Sequence, residues 1–124
     1  MRVERGDATA EVAILVPVVF LVLLLAVQCA AILHAGNVAT AAAAQGAAAA
    51  AAHDAASIDG ERAATLSVVE LGATLIDKPM VLIDPQDARV SVTIKVPRIL
   101  PGFPERITRM VTESRERFVG EGER

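Results

Sequence analysis

The sequence predicts an α+β protein: a long N-terminal transmembrane helix continuing as an alanine-rich rod, a second helix, then a small antiparallel β-sheet. Three observations carry this. Residues 12–33 run for 22 positions without a charge. Alanine fills 13 of the 18 positions from 39 to 56. Further on, residues 89–96 read RVSVTIKV, a strict alternation of polar and β-branched side chains.

The apolar run comes first. About 20 apolar residues span the hydrocarbon core of a bilayer, and 15 of these 22 are Val, Ile, Leu or Phe. At about −0.3 to −0.6 kcal/mol each near the bilayer centre, they favour insertion by several kcal/mol. Gln28 and Pro17 oppose insertion without cancelling it, and Pro17 loosens the helix locally. Arg2 and Arg5 precede the run, and no Lys or Arg follows until Arg62. The positive-inside rule therefore puts the N-terminus in the cytoplasm and the C-terminal part outside. A cleaved secretory signal is the competing reading, but its apolar region is usually about 7–15 residues. The single cysteine, Cys29, excludes an internal disulfide and a cysteine metal framework. It reads as a small packing residue, with an intermolecular disulfide as the alternative, and bulky Gln28 before it argues against a lipoprotein site.

Alanine is the strongest helix former, and nothing between the run and the tract firmly breaks a helix. The expected rod extends from about residue 8 to 56, roughly 70 Å at 1.5 Å per residue. Its smooth surface suits close helix packing. A solvated low-complexity spacer is the other reading, and composition alone leaves both open. Asp59 is expected to cap a second helix over residues 60–77, closed by Pro79. Ala64, Val68, Leu71 and Leu75 fall on one face of it, with Leu66 opposite. Residues 80–83 form a short apolar run ended by Asp84-Pro85, a turn signal that also accounts for Asp84 and Asp87. RVSVTIKV is a half-buried strand able to pair with that run. Residues 97–104 hold three prolines and a glycine and read as a loop. Ile107, Met110, Val111 and Phe118 fit a helical stripe, while residues 107–112 fit a strand equally well. The tail from Gly120 reads as disordered.

Composition limits the function. With 124 residues, only three Phe as aromatics and no Trp or Tyr, the part beyond the anchor is too small to build a large core. It is expected to lean on its own anchor helix or on a partner. Net charge is −3 with no basic block, so nucleic acid is not an expected partner. There is no Ser/His/Asp set, paired acidic site or Gly-rich phosphate loop, so no enzyme, cofactor or metal is expected. His34 and His53 are too far apart on one rod to share an ion and read as surface or interfacial residues. Arg5-Gly6-Asp7 spells an adhesion tripeptide, but three residues recur by chance.

The remaining signal is the N-terminus, MRVERGDATAEVAILVP. A basic leader ends in Gly6, Glu11 follows five residues later, and uninterrupted hydrophobic sequence begins at once. This arrangement resembles a type IV prepilin signal. More closely, the chain resembles the TadE-like proteins, minor pseudopilins of tight-adherence (Flp) pilus systems. Arg5-Gly6, Glu11, Pro17, the alanine-rich stretch and RVSVTIKVPRILPG carry the likeness. Val12 departs from the family, which often has Phe or Tyr there, and so does Asp7, an acid beside the cut.

The resemblance implies a structural role in pilus assembly or a related secretion system. A prepilin peptidase would cut between Gly6 and Asp7, leaving a leader of residues 1–6. Residues 7–57 would be the transmembrane and alanine-rich helix, with the span at 12–33. Residues 58–124 would form the small extracytoplasmic domain. Glycine suits a narrow protease cleft. Glu11 would pair with the terminal amine of a neighbouring subunit, because a carboxylate at the edge of hydrocarbon is costly alone. Expected partners are the peptidase, other pilins or pseudopilins, the Tad machinery and membrane lipid. The alternative is an uncleaved single-pass protein whose outer domain binds envelope partners.

Overall fold

The computed structural model describes residues 3–115. Phe118 and the tail from Gly120, for which expectations were set above, lie outside the described residues. Helix α1 is Val3–Ala51, unbroken for 49 residues and passing through Pro17. Helix α2 is Ser57–Glu70. Three strands follow, β1 Met80–Ile83, β2 Asp87–Lys95 and β3 Arg106–Ser114, in one antiparallel sheet of order β1-β2-β3. The architecture is the α+β arrangement that the sequence predicts, and the ambiguous segment after residue 106 is strand.

The long rod ends earlier than composition suggests. Asp54 adopts a left-handed φ of 59°, a conformation that Asp tolerates better than most residues. The chain reverses there, and α2 packs back along α1 as an αα-hairpin.

The limits of α2 also differ from the periodicity reading. Asp59 does not precede the helix. It sits in the first turn and reaches back, its Oδ2 accepting the Ala56 N–H at 2.8 Å. That satisfies a donor which the helix start would leave open. The C-terminus lies well before Pro79. Gly72 takes a φ of +71°, its N–H donates to Val69 O, and the Ala73 N–H donates to Val68 O, both at 3.0 Å. This is a Schellman closure, which favours glycine because other residues resist positive φ. Ala64 and Val68 are buried as expected, but Leu71 is 47% exposed. Leu75 lies outside the helix and bridges to Ile94.

The alanine tract packs. Ala35, Val38, Ala39, Ala42, Ala43, Gly46, Ala47 and Ala50 are buried. Their spacing of three and four draws one stripe along α1. α2 and the inner sheet face close on that stripe, the sheet contributing Ala88, Val90, Val92, Ile94 and Val96. The tightest point is the crossing of Gly46 with Gly60. A Cβ on Gly46 would lie 2.9 Å from Gly60 O, 2.9 Å from Ala64 Cβ and 3.0 Å from Val90 Cγ1. One on Gly60 would lie 2.8 Å from Ala50 Cβ and 3.0 Å from Gly46 O. Gly60 is therefore a packing residue inside α2.

In the sheet, Val90 pairs with Val81 on one side and Val111 on the other, and Ile94 with Ile107. Directly opposed residues share a face, so these pairs all turn toward α1. The 83–88 turn is closed by Asp84 N–H donating to Asp87 O at 2.8 Å, in line with the turn role expected of both acids.

Gly46→Ala and Gly60→Ala are each expected to destabilise the fold by about 1–3 kcal/mol, the usual cost of forcing atoms into a filled contact. Denaturant unfolding of the purified full chain in detergent measures this. Gly6→Ala, with nothing within 4 Å of the added Cβ, should not lower the midpoint.

Candidate functional site in the apolar helix

α1 has two halves with opposite surroundings. From residue 12 to 27 every side chain is exposed, with Phe20 63% accessible. Only 6% of the most apolar 18-residue window is buried within the protein. An apolar surface of that extent calls for lipid or other helices around it. α1 is long and apolar enough to cross a membrane.

Gly6, Asp7 and Glu11 lie on this half, all three exposed. They are helical, since α1 starts at Val3. Asp7 and Glu11 stand four residues apart and so share a face one turn from each other. Nothing crowds Gly6. Cys29 is exposed as well.

The two halves meet at Gln28, a residue that opposes insertion and whose bulk argues against a lipoprotein site at Cys29. It is the sole polar side chain among the described residues that is fully buried, at 0% exposure. Its Oε1 accepts the Ile99 N–H at 2.7 Å and the Leu100 N–H at 3.2 Å, while its Nε2 donates to Pro97 O at 3.1 Å. One amide thus holds three backbone groups of the proline-rich loop 97–104. An amide transferred to an apolar site unpaired costs about 2–7 kcal/mol, and these three bonds remove that cost. Local sequence gives no sign of the pairing, because the partners are 69 to 72 positions apart.

A cleft of about 750 Å³ opens beside the clamp, lined by His34, Ala35 and Val38 of α1 and by Thr74, Lys95 and Arg98. Across its mouth Arg98 Nη2 meets Glu105 Oε1 at 2.7 Å. Both side chains are about half exposed, so the pair contributes at most about 1 kcal/mol. His53 stands far from the cleft, at the α1–α2 turn, with Nε2 3.4 Å from Asp54 Oδ2. Among the described residues no three His, Cys, Asp or Glu side chains group to hold a metal.

Gln28→Leu keeps the size and apolar character of the position but leaves the Ile99 and Leu100 N–H groups without their acceptor. The expected cost is about 1–3 kcal/mol. Hydrogen exchange at those two amides should accelerate while the β2 amides stay protected, and unchanged exchange at Ile99 and Leu100 would rule the clamp out.

No curated protein and no solved structure matches the chain. One family model does, and it covers residues 6–48, which take in Gly6, Glu11, the bare apolar half of α1 and most of the alanine stripe. That family is a structural one whose members take part in Tad pilus assembly. Its description is TadE-like protein, and over residues 6–48, most of α1, this chain is similar to it.

Proposed function

We propose that the chain is a minor pseudopilin of a Tad (Flp) pilus or a related secretion system. The observation that carries this reading is the division of α1. One half is bare and apolar, while the other is packed beneath the chain's own α2 and sheet. A subunit built so can reside in the membrane through the first half and present a folded domain on the second. The cationic leader orients it with the N-terminus in the cytoplasm. Prepilin peptidase cuts between Gly6 and Asp7, and the mature chain keeps Glu11 near its new amine. In an assembly of such helices, the Glu11 carboxylate meets a neighbouring subunit's terminal amine, which offsets its desolvation and fixes the register between helices. The partners in this reading are the peptidase, other pilins or pseudopilins, the Tad machinery and lipid.

The uncleaved single-pass alternative has one observation on its side. Gly6 and Asp7 are helical, and a protease cleft takes an extended segment, so the first turns of α1 must unwind before the cut. N-terminal sequencing of the protein from a host with an active peptidase separates the two readings. The expected mature terminus is Asp7, with the leader retained in Gly6→Ala. An intact leader in the wild-type chain would rule out processing.

Glu11→Gln should still be cut and still reach the membrane, yet be lost from complexes with other pilin-like subunits. Co-purification from crosslinked membranes measures this, and undiminished recovery would remove the role given to Glu11.

A further inference from the structure

The clamp at Gln28 fixes where the loop 97–104 stands relative to the bilayer. Gln28 is one residue beyond the bare apolar half of α1, so the loop is held against the helix at the point where that half ends. The loop reads PRILPGFP. Its three prolines carry no backbone N–H, and two of its remaining N–H groups, those of Ile99 and Leu100, are taken by Gln28. Irregular backbone is tolerated near hydrocarbon only where its polar groups are satisfied; Gln28 satisfies the Ile99 and Leu100 N–H groups and the Pro97 carbonyl next to the helix, and the interface offers water and headgroups to the others. Its side chains suit the same place. Ile99 is 45% exposed, Leu100 and Phe103 are half-buried, and Arg98, paired with Glu105 at 2.7 Å, stands beside them.

Length gives a second, independent argument. Residues 12–27 cover about 24 Å at 1.5 Å per residue, against about 30 Å of hydrocarbon. A span ending at residue 33 would put Gln28, with the loop bound to it, about 8 Å inside the hydrocarbon edge. A span ending at 27 leaves the clamp at the boundary and draws residues 8–11 into the opposite edge.

We propose that the loop 97–104 is a membrane-contacting element. It rests in the lipid interface from which α1 emerges, with Gln28 setting the depth, so that the span runs over residues 8–27 and the domain sits directly on the bilayer. The occupant of the exposed Ile99 surface is lipid. This inference rests on the membrane reading of α1, and the test separates the two.

The natural chain has no Trp and no Tyr, so one introduced Trp reports alone. Phe20→Trp, Ile99→Trp and Ile58→Trp are made in the full chain and reconstituted in phosphatidylcholine vesicles, with or without lipid brominated near the headgroup end of its acyl chains. Phe20 marks the span, and Ile58, 51% exposed, marks the far end of the helical hairpin. Bromine is expected to quench Ile99→Trp, whose emission without bromine should lie to the blue of that of Ile58→Trp, while Ile58→Trp stays bright. Quenching of Phe20→Trp without quenching of Ile99→Trp would overturn the loop contact and leave the span standing. Quenching of both Ile99→Trp and Ile58→Trp would overturn the depth set by Gln28, since the domain would then lie along the surface. An unquenched Phe20→Trp would overturn the membrane reading and the loop contact together.

Discussion

The fold depends on one close approach, the crossing of α1 and α2 where Gly46 and Gly60 face each other with no side chain between. Each glycine's missing Cβ would lie 3.0 Å or less from the other's carbonyl oxygen, so the helix backbones are in contact. That separation sets the height of the floor on which the sheet lies. It also accounts for the odd composition of the tract. A stripe of alanine loses almost no side-chain entropy on burial, and it lets neighbouring backbones gain dispersion contacts that larger residues would prevent. The volume that alanine lacks is supplied from the other side. Val90, Val92, Ile94 and Val96 fill the space above the stripe, and their branched side chains suit a pleated surface. A core of small residues below and β-branched residues above needs no aromatic side chain, and among the described residues none of the fully buried side chains is aromatic.

The same helix carries two kinds of surface. Up to residue 27 α1 presents large aliphatics on all sides, and from residue 35 it presents small ones toward its own domain. Gln28 stands at the change. A polar side chain in that position would weaken either half if left alone, and binding three backbone groups of a distant loop makes it part of both. Because the helix runs on without interruption, the domain cannot swing freely about a flexible neck.

The sequence made visible what has a period. The apolar run, the alanine tract and RVSVTIKV each repeat a local rule often enough to be read, and all three lie where expected. The ends of α2 were misread for a physical reason. Asp59 satisfies a helix start equally well from before the helix or from its third position, and a stripe through 64, 68, 71 and 75 does not reveal that Gly72 has already closed the helix. Residues 107–112 fit both periods, and the choice of strand comes from pairing along β2, a tertiary contact. Gln28 was illegible because its partners are remote in the chain. At the candidate site, Gly6, Asp7 and Glu11 could be read by spacing, and α1 carries all three exposed on its first turns. Their roles still rest on the pattern and the family match rather than on any contact within the chain.

The use of the alanine stripe constrains assembly. Small residues are the usual means by which membrane helices approach closely, yet here the buried small-residue face is already covered by α2 and the sheet. The stretch of α1 exposed on every side and wholly apolar is residues 12–27, which has two alanines and is otherwise Val, Ile, Leu, Phe and one proline. Such a surface packs through broad aliphatic contact that resembles its contact with lipid, so it gives little preference for one register over another. In the pseudopilin reading, specificity then comes from polar groups at the edge of the run, where Asp7 and Glu11 stand one turn apart on one face.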